Sequence, residues 1–534
     1  MCQGSRISLE MRADTPSIIQ SVLKCIEKCL DSHVHCPKPN PDGPLPTRLL
    51  DVGQLNGSSL PRLCSGDECR CFGGRYLALS YCWGDVLPLR TLQSNIEQMM
   101  EGIKWDILPL TFQDAICLTR KLGIRHIWID ALCIIQDDKV DWEREASTMG
   151  AVYSQAICTI VAHASSSCHD GIIKTRDPLI TTPPTLRLSH RRRRSVSVTF
   201  YPKIPSLNTL EGESPHAARG WTLQERELSS RVLYFTSHQV IWQCYSTGWS
   251  ENACNTNHEG IVLDNGLAKK PLFGEVMPQQ DIKHVHDLYQ TWYSIANDFS
   301  TRMLSLSTDK LVAISGMARR MQQKSRDTYV AGLWKNDLLF GLLWSVHPIK
   351  PEYAACKRTA EYVAPSWSWA STERGSLWFL GRAGRAVLPT GWSASKDITA
   401  HVQHVPKVID VGVYPSGSDP FGQLKGGFIT IHGRVKRGRC LRHTTYPIFC
   451  DPDDLPVGQP SSDPSIFDVF FDDHTDYVTL TDVYCLCFYE TGGMTGGLAL
   501  SKVEESNVYR RVGLMNWFKN GWFDDCKPSE ITIV

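Results

Sequence analysis

Three short apolar runs stand out between residues 75 and 164 of this chain. They are Tyr76–Ser80, His126–Ile135 and Ile157–Ala164, and each is bounded by polar or turn residues. Runs of this length that are rich in Leu, Ile, Val and aromatic residues are typical of strands buried on both faces. The pattern therefore predicts three buried strands.

Two segments between these runs have helical spacing. In Leu110–Leu122 the apolar residues recur at threes and fours, and Gly123 follows as a stop signal. Asp141–Tyr153 has the same spacing, with Asp141 as the predicted N-cap. Strand, helix, strand, helix, strand is the order of a parallel sheet covered by helices.

The remaining pattern divides the chain into four predicted parts. These are an N-terminal helix and Pro-rich segment (1–70), an α/β domain (71–245, with an insertion at 165–217), a linker and helical region (246–385) and a β-rich C-terminal module (386–534). A length of 534 residues fits several domains, since one domain usually has about 100–200 residues.

Some finer predictions concern the segments outside the α/β core. An amphipathic helix is predicted at about Pro16–Leu30, and strands at Val232–Thr236 and Val240–Cys244. Helical patterns recur at Val285–Phe299, Thr308–Met321 and about Leu333–Leu343. From about residue 386, short strand patterns separated by Gly, Pro and Asp dominate.

The insertion contains a basic run, Arg191–Arg194, flanked by alternating apolar and polar residues. The flanks predict a β-hairpin whose solvated loop carries the arginines. A basic run of this kind also serves in nuclear import or anion binding, and that alternative stays open.

The composition argues against nucleic-acid-binding, membrane-spanning and secreted proteins. The 56 basic and 56 acidic side chains give a formal charge of zero, so neither nucleic acid nor an anionic membrane is predicted as partner. No apolar run approaches the roughly 20 residues that span a bilayer, and the polar N-terminus argues against a signal peptide. The 20 cysteines are scattered, many of them in apolar runs, as in reducing compartments. We therefore expect a cytoplasmic protein without a membrane span.

One group of cysteines and histidines near the N-terminus invites comparison with zinc sites. Its members are Cys25, Cys29, His33, His35 and Cys36. Zinc sites usually add a second, distant pair of ligands, and the spacing of Cys64, Cys69 and Cys71 is wrong for a standard knuckle. The sequence therefore favours packing thiols and predicts no metal site.

Common catalytic motifs are absent from the sequence: it has no Walker loop, GxSxG elbow or HExxH. Instead, YLALSYCWGD, WIDALCIIQDD with its flanks, and RGWTLQERELSSR resemble the three blocks of the fungal heterokaryon-incompatibility (HET) domain, in the family's order. This resemblance implies a role in non-self recognition and regulated cell death, with the α/β domain as effector.

A more distant resemblance, to Toll/interleukin receptor (TIR) domains, concerns the order of elements and a few short motifs. It implies an α/β fold with a TIR-like (flavodoxin-like) parallel sheet. Some TIR domains cleave NAD with a glutamate at the position that Glu225 would match. The resemblance therefore implies Glu225 as a catalytic residue and NAD or NADP as substrate, with no cofactor required.

Several other side chains are candidates for binding that substrate. They follow the first and second strands or precede Glu225, and they are Ser80, Tyr81, Trp83, Asp85, Asp130, Arg219 and Trp221. Ligands usually bind at the C-terminal ends of parallel strands, aromatic rings can stack on a base, and arginine pairs with phosphate.

Each candidate also has a structural explanation. Glu225 could pair with Arg219, Arg226 or Arg231 on a helix surface. Asp85 could cap a turn, and the tryptophans could fill the core. An acid in an apolar run, such as Asp130, is costly unless it is hydrogen-bonded, and bonding to a helix N-terminus would satisfy it.

Three functional hypotheses follow. The first is a HET effector that hydrolyses NAD(P). The second is a non-catalytic adaptor that self-associates or binds another fungal incompatibility or signalling protein. The third is an accessory regulator, because a fold does not determine a function.

Overall fold

The computed structural model of the protein describes residues 9–40, 42–54, 56–190, 193–252, 285–347, 356–379, 405–441, 448–450, 467–480, 482–491, 494–503, 507–516 and 521–534. The chain forms two compact units, Met1–Ile282 and Lys283–Val534. No helix among the described residues is long and apolar enough to cross a membrane.

The helices of the first unit alternate with its strands. The helices are α1 (Pro16–Ser32), α2 (Gly66–Arg70), α3 (Ile96–Glu101), α4 (Leu110–Lys121), α5 (Asp130–Cys133), α6 (Lys139–Gln155), α7 (Pro178–Thr181), α8 (Leu207–Glu213) and α9 (Gly220–Leu228), with a 3₁₀ turn at Trp105–Ile107. The strands are β1 (Arg48–Asp51), β2 (Arg62–Ser65), β3 (Tyr76–Ser80), β4 (His126–Trp128), β5 (Thr159–Val161), β6 (Thr185–His190), β7 (Arg193–Thr199), β8 (Arg231–Phe235), β9 (Val240–Cys244) and β10 (Gly248–Ser250).

Eight of these strands form one sheet in the order β10-β9-β8-β5-β3-β4-β1-β2. β3 pairs in parallel with β4 and with β5, and β5 pairs in parallel with β8, so the predicted parallel sheet is confirmed. The outer strands on both sides are antiparallel. Every residue of β3, β4, β5 and β8 is buried, as expected for strands covered on both faces.

The second predicted strand, His126–Ile135, is too long: β4 ends at Trp128 and a short helix begins at Asp130. Asp130 accepts the backbone N–H of Ala131 at 2.7 Å, which satisfies an N–H that a strand would have given to a neighbour. The third strand is also shorter than predicted, with bounds Thr159–Val161.

The predicted helix Leu110–Leu122 is confirmed, whereas Asp141 is not the N-cap of the following helix. Asp138 holds that position, and its side chain accepts the N–H groups of Val140 and Asp141. Asp141 lies in the first turn of α6, buried against Arg48 of β1. In the sequence, an acid in the first turn of a helix looks the same as an N-cap. The structure distinguishes them, because Asp141 pairs with Arg48 and does not cap the helix.

The N-terminal 70 residues contain more regular structure than predicted. The amphipathic helix is confirmed as Pro16–Ser32, but β1 and β2 follow it and extend the sheet beyond β4. Each of these two strands has only four residues, and β1 comes directly after a Pro-rich stretch. Strands this short give little periodic signal.

The hairpin predicted in the insertion is confirmed as the antiparallel pair β6–β7. Arg191 and Arg192 of the basic run lie outside the described residues. Strands β8 and β9 agree with the predictions at Val232–Thr236 and Val240–Cys244 to within one residue.

The second unit combines a helical part with a β-rich part. Its helices are α10 (Val285–Ser300), α11 (Ser315–Ser325), α12 (Leu338–Gly341) and α13 (His474–Thr479), with 3₁₀ turns at Ser307–Asp309, Val312–Ile314, Lys335–Asp337 and Trp369–Ser371. Its strands are β11 (Tyr329–Val330), β12 (Leu333–Trp334), β13 (Trp344–His347), β14 (Ser376–Phe379), β15 (Lys407–Pro415), β16 (Leu424–Gly433), β17 (Val435–Leu441), β18 (Ile448–Cys450), β19 (Phe467–Phe471), β20 (Asp482–Thr491), β21 (Met494–Lys502), β22 (Val508–Asn516) and β23 (Ser529–Ile533).

Nine described strands, β15 to β23, form one mostly antiparallel sheet, so the β-rich C-terminal prediction is confirmed. The helical prediction at Val285–Phe299 is confirmed by α10, but Leu333–Leu343 is not one helix. There Asp327 accepts the N–H of Asn336 at 3.1 Å and of Thr328 at 2.6 Å, which favours the β11–β12 turn over a helix.

A buried ion pair lies at the centre of the second unit. Arg511 and Asp472 have no solvent exposure, and their side chains meet at 2.9 Å. Arg511 also donates to the carbonyl of Leu342 at 2.6 Å, and Arg358 reaches Asp472 at 3.0 Å. These bonds join β22 to residues near β13.

The buried pair of the first unit yields a testable prediction. Arg48 donates to Asp141 and, at 2.8 Å, to the carbonyl of Cys133, so Arg48→Ala leaves a buried carboxylate without its inner cation. We expect a loss of about 3–5 kcal/mol in the free energy of unfolding, measured by urea denaturation of the full chain.

Arg144→Ala is the matched control, because Arg144 contacts the same carboxylate from a half-exposed position. We expect that change to cost about 1 kcal/mol or less. Equal losses in the two variants would contradict the argument from burial.

Candidate functional site

Several of the predicted residues lie together at the C-terminal end of β3. Ser80, the last residue of β3, is only 1% exposed. Its Oγ donates to Oε2 of Glu225 and lies 2.6 Å from Nε2 of His216. The serine loop and the acid of the third sequence block therefore meet, although 145 residues separate them.

Helix α9 sets the position of Glu225. The helix begins after Arg219, whose backbone is extended, and Leu223 and Leu228 bury its apolar face. The hydroxyl of Ser229 donates to the carbonyl of Glu225 at 2.6 Å and fixes the last turn. The Glu225 side chain consequently points inward, and the residue is 7% exposed.

Burial dominates the electrostatics of Glu225. It is the main reason that the pKa of this carboxyl is raised to about 7, and the nearby charge of Asp130 acts in the same direction. Hydrogen bonds from Ser80 and Tyr153 and the positive charge of Arg219 act in the opposite direction, because they favour the ionised form. A carboxyl with a pKa near neutrality can change its protonation state at physiological pH.

The order His216–Ser80–Glu225 determines which catalytic role the serine can have. A serine hydroxyl has one proton, so when Ser80 donates to Glu225 it must accept from Nε2–H of His216. In a serine hydrolase the histidine lies between the serine and the acid. Here the serine lies between, so the arrangement stabilises a carboxylate and does not activate a serine nucleophile.

Asp130 forms a second buried acid beside this group. Its carboxylate accepts Nε1–H of Trp83 at 2.8 Å and the backbone N–H of Ala131 at 2.7 Å. Burial raises the pKa of Asp130, and these donors partly offset that effect. The expectation that an acid within this apolar segment must be hydrogen-bonded is therefore met.

Arg219 and Tyr81 belong to the same neighbourhood. Arg219 donates to the carbonyl of Tyr81 at 2.6 Å and is half-buried. Trp83 is half-buried as well, so both side chains reach solvent while Ser80 does not. They are the members of the group that an incoming ligand could meet first.

Two of the three alternative ion-pair partners for Glu225, Arg226 and Arg231, bond other groups. Arg226 bonds Glu211 at 2.6 Å and Glu227 at 2.9 Å. Arg231 donates to the backbone carbonyls of Ile157 and Pro37. A salt bridge on a helix surface therefore does not explain the position of Glu225.

Two predicted residues stand apart from the Ser80–Glu225 contact. Trp221 is half-buried and packs against the hydrophobic core of the first unit. Asp85 is exposed on the loop that follows Gly84, whose φ of 84° is in the left-handed region.

Sequence reasoning missed three residues of the site. His216 belongs to the poorly patterned insertion, and Tyr153, whose Oη donates to Leu79 at 3.0 Å, counted only as an apolar helix position. His163 is 6.4 Å from His216 between ring centroids, and burial lowers its pKa to about 4, so it is neutral. The position of His216, three residues before Arg219 of the third motif, is the sequence feature that points to it.

Among the described residues, the acids and histidines of this site do not form a group of converging metal ligands. Among the residues that the structure describes, the side chains that converge as metal ligands are Cys29, His33, Cys36 and Cys244. They come from the segment around the end of α1 and from the end of β9.

A comparison with known protein families identifies part of the chain. Residues 76–225 match the family model described as "Heterokaryon incompatibility protein (HET)". The match begins with β3 and ends at Glu225, so it includes both sides of the buried contact. No curated protein and no solved structure matches the chain. This chain therefore contains a HET domain, which spans residues 76–225.

Proposed function

We propose that the HET domain hydrolyses the bond between nicotinamide and ribose in NAD or NADP, with Glu225 as the catalytic carboxylate. The observation that carries the proposal is the buried contact between Glu225 and Ser80 at the C-terminal end of β3. No cofactor is needed for this reaction, because the dinucleotide is the substrate.

The strand order supports a TIR-like, flavodoxin-like arrangement. The four parallel strands lie in the sheet in the order β4-β3-β5-β8. If they are numbered along the chain, this is the order 2-1-3-4. In sheets of this order, ligands bind where the strand order reverses, outside the carboxyl ends of the strands. That point lies between β3 and β5, and Ser80 ends β3 there.

The chemistry suits one carboxylate without a strong general acid. As the bond between C1′ and the pyridinium nitrogen breaks, its electron pair leaves with neutral nicotinamide, and positive charge develops on the ribose. An adjacent carboxylate stabilises that charge. Water then bonds to C1′ and gives its proton to the carboxylate, and ADP-ribose results.

Other side chains have supporting roles in this proposal. Ser80 holds the carboxylate and His216 holds Ser80, Arg219 meets a phosphate, and Trp83 offers an aromatic face. Tyr81, Asp130 and Trp221 shape the surroundings, and Asp85 lies on the outer loop. In the cell the activity would serve non-self recognition and regulated death, with the cytoplasm as the expected location.

The first test replaces the carboxylate without changing its shape. Glu225→Gln in the full chain is expected to lower nicotinamide release from NAD by about 10²–10³-fold, because the charge that stabilises the transition state is lost. Release is measured by chromatography over a range of protein concentrations.

Glu227→Gln is the matched control, since Glu227 is a buried acid on the same helix that bonds Arg226 instead. It is expected to retain activity. Absence of nicotinamide release from the unmodified chain at every concentration would contradict the enzymatic proposal.

A second prediction concerns pH. The ionised form of Glu225 is the active one, and burial raises its pKa to about 7. The rate should therefore increase as pH rises through about 7 and level off above it. In Ser80→Ala the midpoint should move to higher pH, because the lost hydrogen bond favoured the ionised form.

Ser230→Ala, which changes a buried serine that bonds Ser154, should leave the midpoint in place. The measurement is the pH profile of kcat/KM for NAD, which reports the ionisation of the free protein. A rate that falls as pH passes through 7 would instead indicate that the protonated acid is the active form.

One observation favours the adaptor hypothesis as a second candidate. The β6–β7 hairpin carries Leu186, Leu188 and Val196, which are 54%, 58% and 58% exposed. Leu188 pairs with Val196, and Leu186 pairs with Val198, so these apolar residues lie on one face of the hairpin. An exposed apolar strand surface is a common site of association between chains.

Leu188→Lys tests this candidate. If the hairpin joins copies of the chain, the average mass in sedimentation velocity should fall towards that of one chain of 60.0 kDa. Arg187→Gln, an exposed change on the same strand, should have no effect. A mass of one chain before any substitution would contradict self-association through this surface.

A further inference from the structure

Three side chains near the end of α1 meet a fourth side chain from the end of β9. Cys29 lies in the last turn of this helix, His33 follows the helix end, Cys36 comes three residues later, and Cys244 is the last residue of β9. Their ligand atoms, three Sγ and Nδ1 of His33, all lie within 4.8 Å of one another.

The spacing of these atoms is close to that of a tetrahedral zinc site. Zn–S bonds of about 2.3 Å and Zn–N bonds of about 2.0–2.1 Å place sulfur and nitrogen ligands about 3.6 Å apart. Nδ1 of His33 is 3.4 Å from Sγ of Cys244 and 3.7 Å from Sγ of Cys36. The histidine nitrogen therefore lies at the distance from two of the three sulfur atoms that one shared ion requires.

The surroundings are suited to a charged metal–thiolate group. Cys29, Cys36 and Cys244 are at most 3% exposed, and His33 is half-buried. Three thiolates and Zn²⁺ carry a net charge of −1, and the buried guanidinium of Arg231 lies 3.5 Å from Sγ of Cys29. A cation at this position compensates the charge of the group.

Further donors face the sulfur atoms. The backbone N–H of Thr247 donates to Sγ of Cys244 at 3.3 Å, and Oγ of Ser246 lies 3.4 Å from Sγ of Cys36. Hydrogen bonds of this kind orient metal ligands and tune their basicity. Thr247 follows Cys244 in the turn to β10, so the turn supplies both a ligand and the donor to it.

We propose that Cys29, His33, Cys36 and Cys244 bind one Zn²⁺ ion in tetrahedral coordination and thereby fasten α1 to β9. Four protein ligands leave no open position, so the site is structural and not catalytic. This assignment differs from the sequence prediction of packing thiols, because Cys244 supplies a fourth ligand 208 residues after Cys36. It does not depend on the proposed hydrolase activity.

The experiment measures metal in the full chain, purified with a thiol reductant and without chelator. One zinc per chain is expected by elemental mass spectrometry. After replacement of zinc, Co²⁺ should give the visible bands of tetrahedral coordination and thiolate charge-transfer bands in the near ultraviolet. A chelator that removes the metal should lower the melting temperature.

Variants separate coordination from packing. Cys244→Ser and His33→Ala should bind zinc at least about tenfold more weakly, since even changes to groups that only orient ligands cost about 10–100-fold. His33→Cys should retain zinc and shift the cobalt bands, because four thiolates replace the mixed set. Cys158→Ser, a buried cysteine outside the group, should keep one zinc per chain.

Three results would contradict the zinc site. A wild-type chain that holds no zinc and shows no cobalt bands would overturn it, whatever the variants do. So would a disulfide between two of the three cysteines in the reduced preparation, detected by mass spectrometry, or zinc that Cys244→Ser and His33→Ala retain with unchanged affinity.

Discussion

The hydrogen bond between Ser80 and Glu225 depends on the whole architecture of the first unit. A buried carboxyl is tolerated only when it is neutral or hydrogen-bonded, and the strand that provides Ser80 and the helix that provides Glu225 lie far apart in the chain. The parallel pairing of β3 with β5 and of β5 with β8 brings them together. The strand pairing of the sheet therefore has to place a hydrogen-bond donor where the buried carboxyl lies.

Comparison with Asp51 shows why Glu225 is unusual within the same unit. Burial alone would raise the pKa of Asp51, but Arg125 bonds it through two nitrogens at 3.0 Å, and the pKa falls below its ordinary value. Glu225 accepts a hydrogen bond from the uncharged hydroxyl of Ser80, and the pKa of Glu225 rises to about 7. An ion pair stabilises a fold, whereas a carboxyl held by neutral groups stays chemically responsive.

Sequence could predict the elements with a strong apolar pattern. Burial of one face imposes a period on helices such as α4, and burial of both faces makes β3 a continuous apolar run. Sequence could not predict β1 and β2, whose four residues each are too few to show a period. Glu225 and Ser80 were found through motifs. His216 and Cys244 were missed, since their importance comes from neighbours more than a hundred residues away.

One short segment of chain connects the buried carboxyl to the surroundings of the proposed metal site. Glu225 lies on α9, Ser229 bonds the carbonyl of Glu225, and Arg231 begins β8 two residues later. Arg231 donates to Ile157 and Pro37 while its guanidinium faces Cys29. A charge-compensating contact with a metal–thiolate group would hold this arginine, and with it the start of β8, in one position. Because α9 ends only three residues earlier, order at the N-terminal helix would then stabilise the geometry around Glu225 without any direct contact between the two sites.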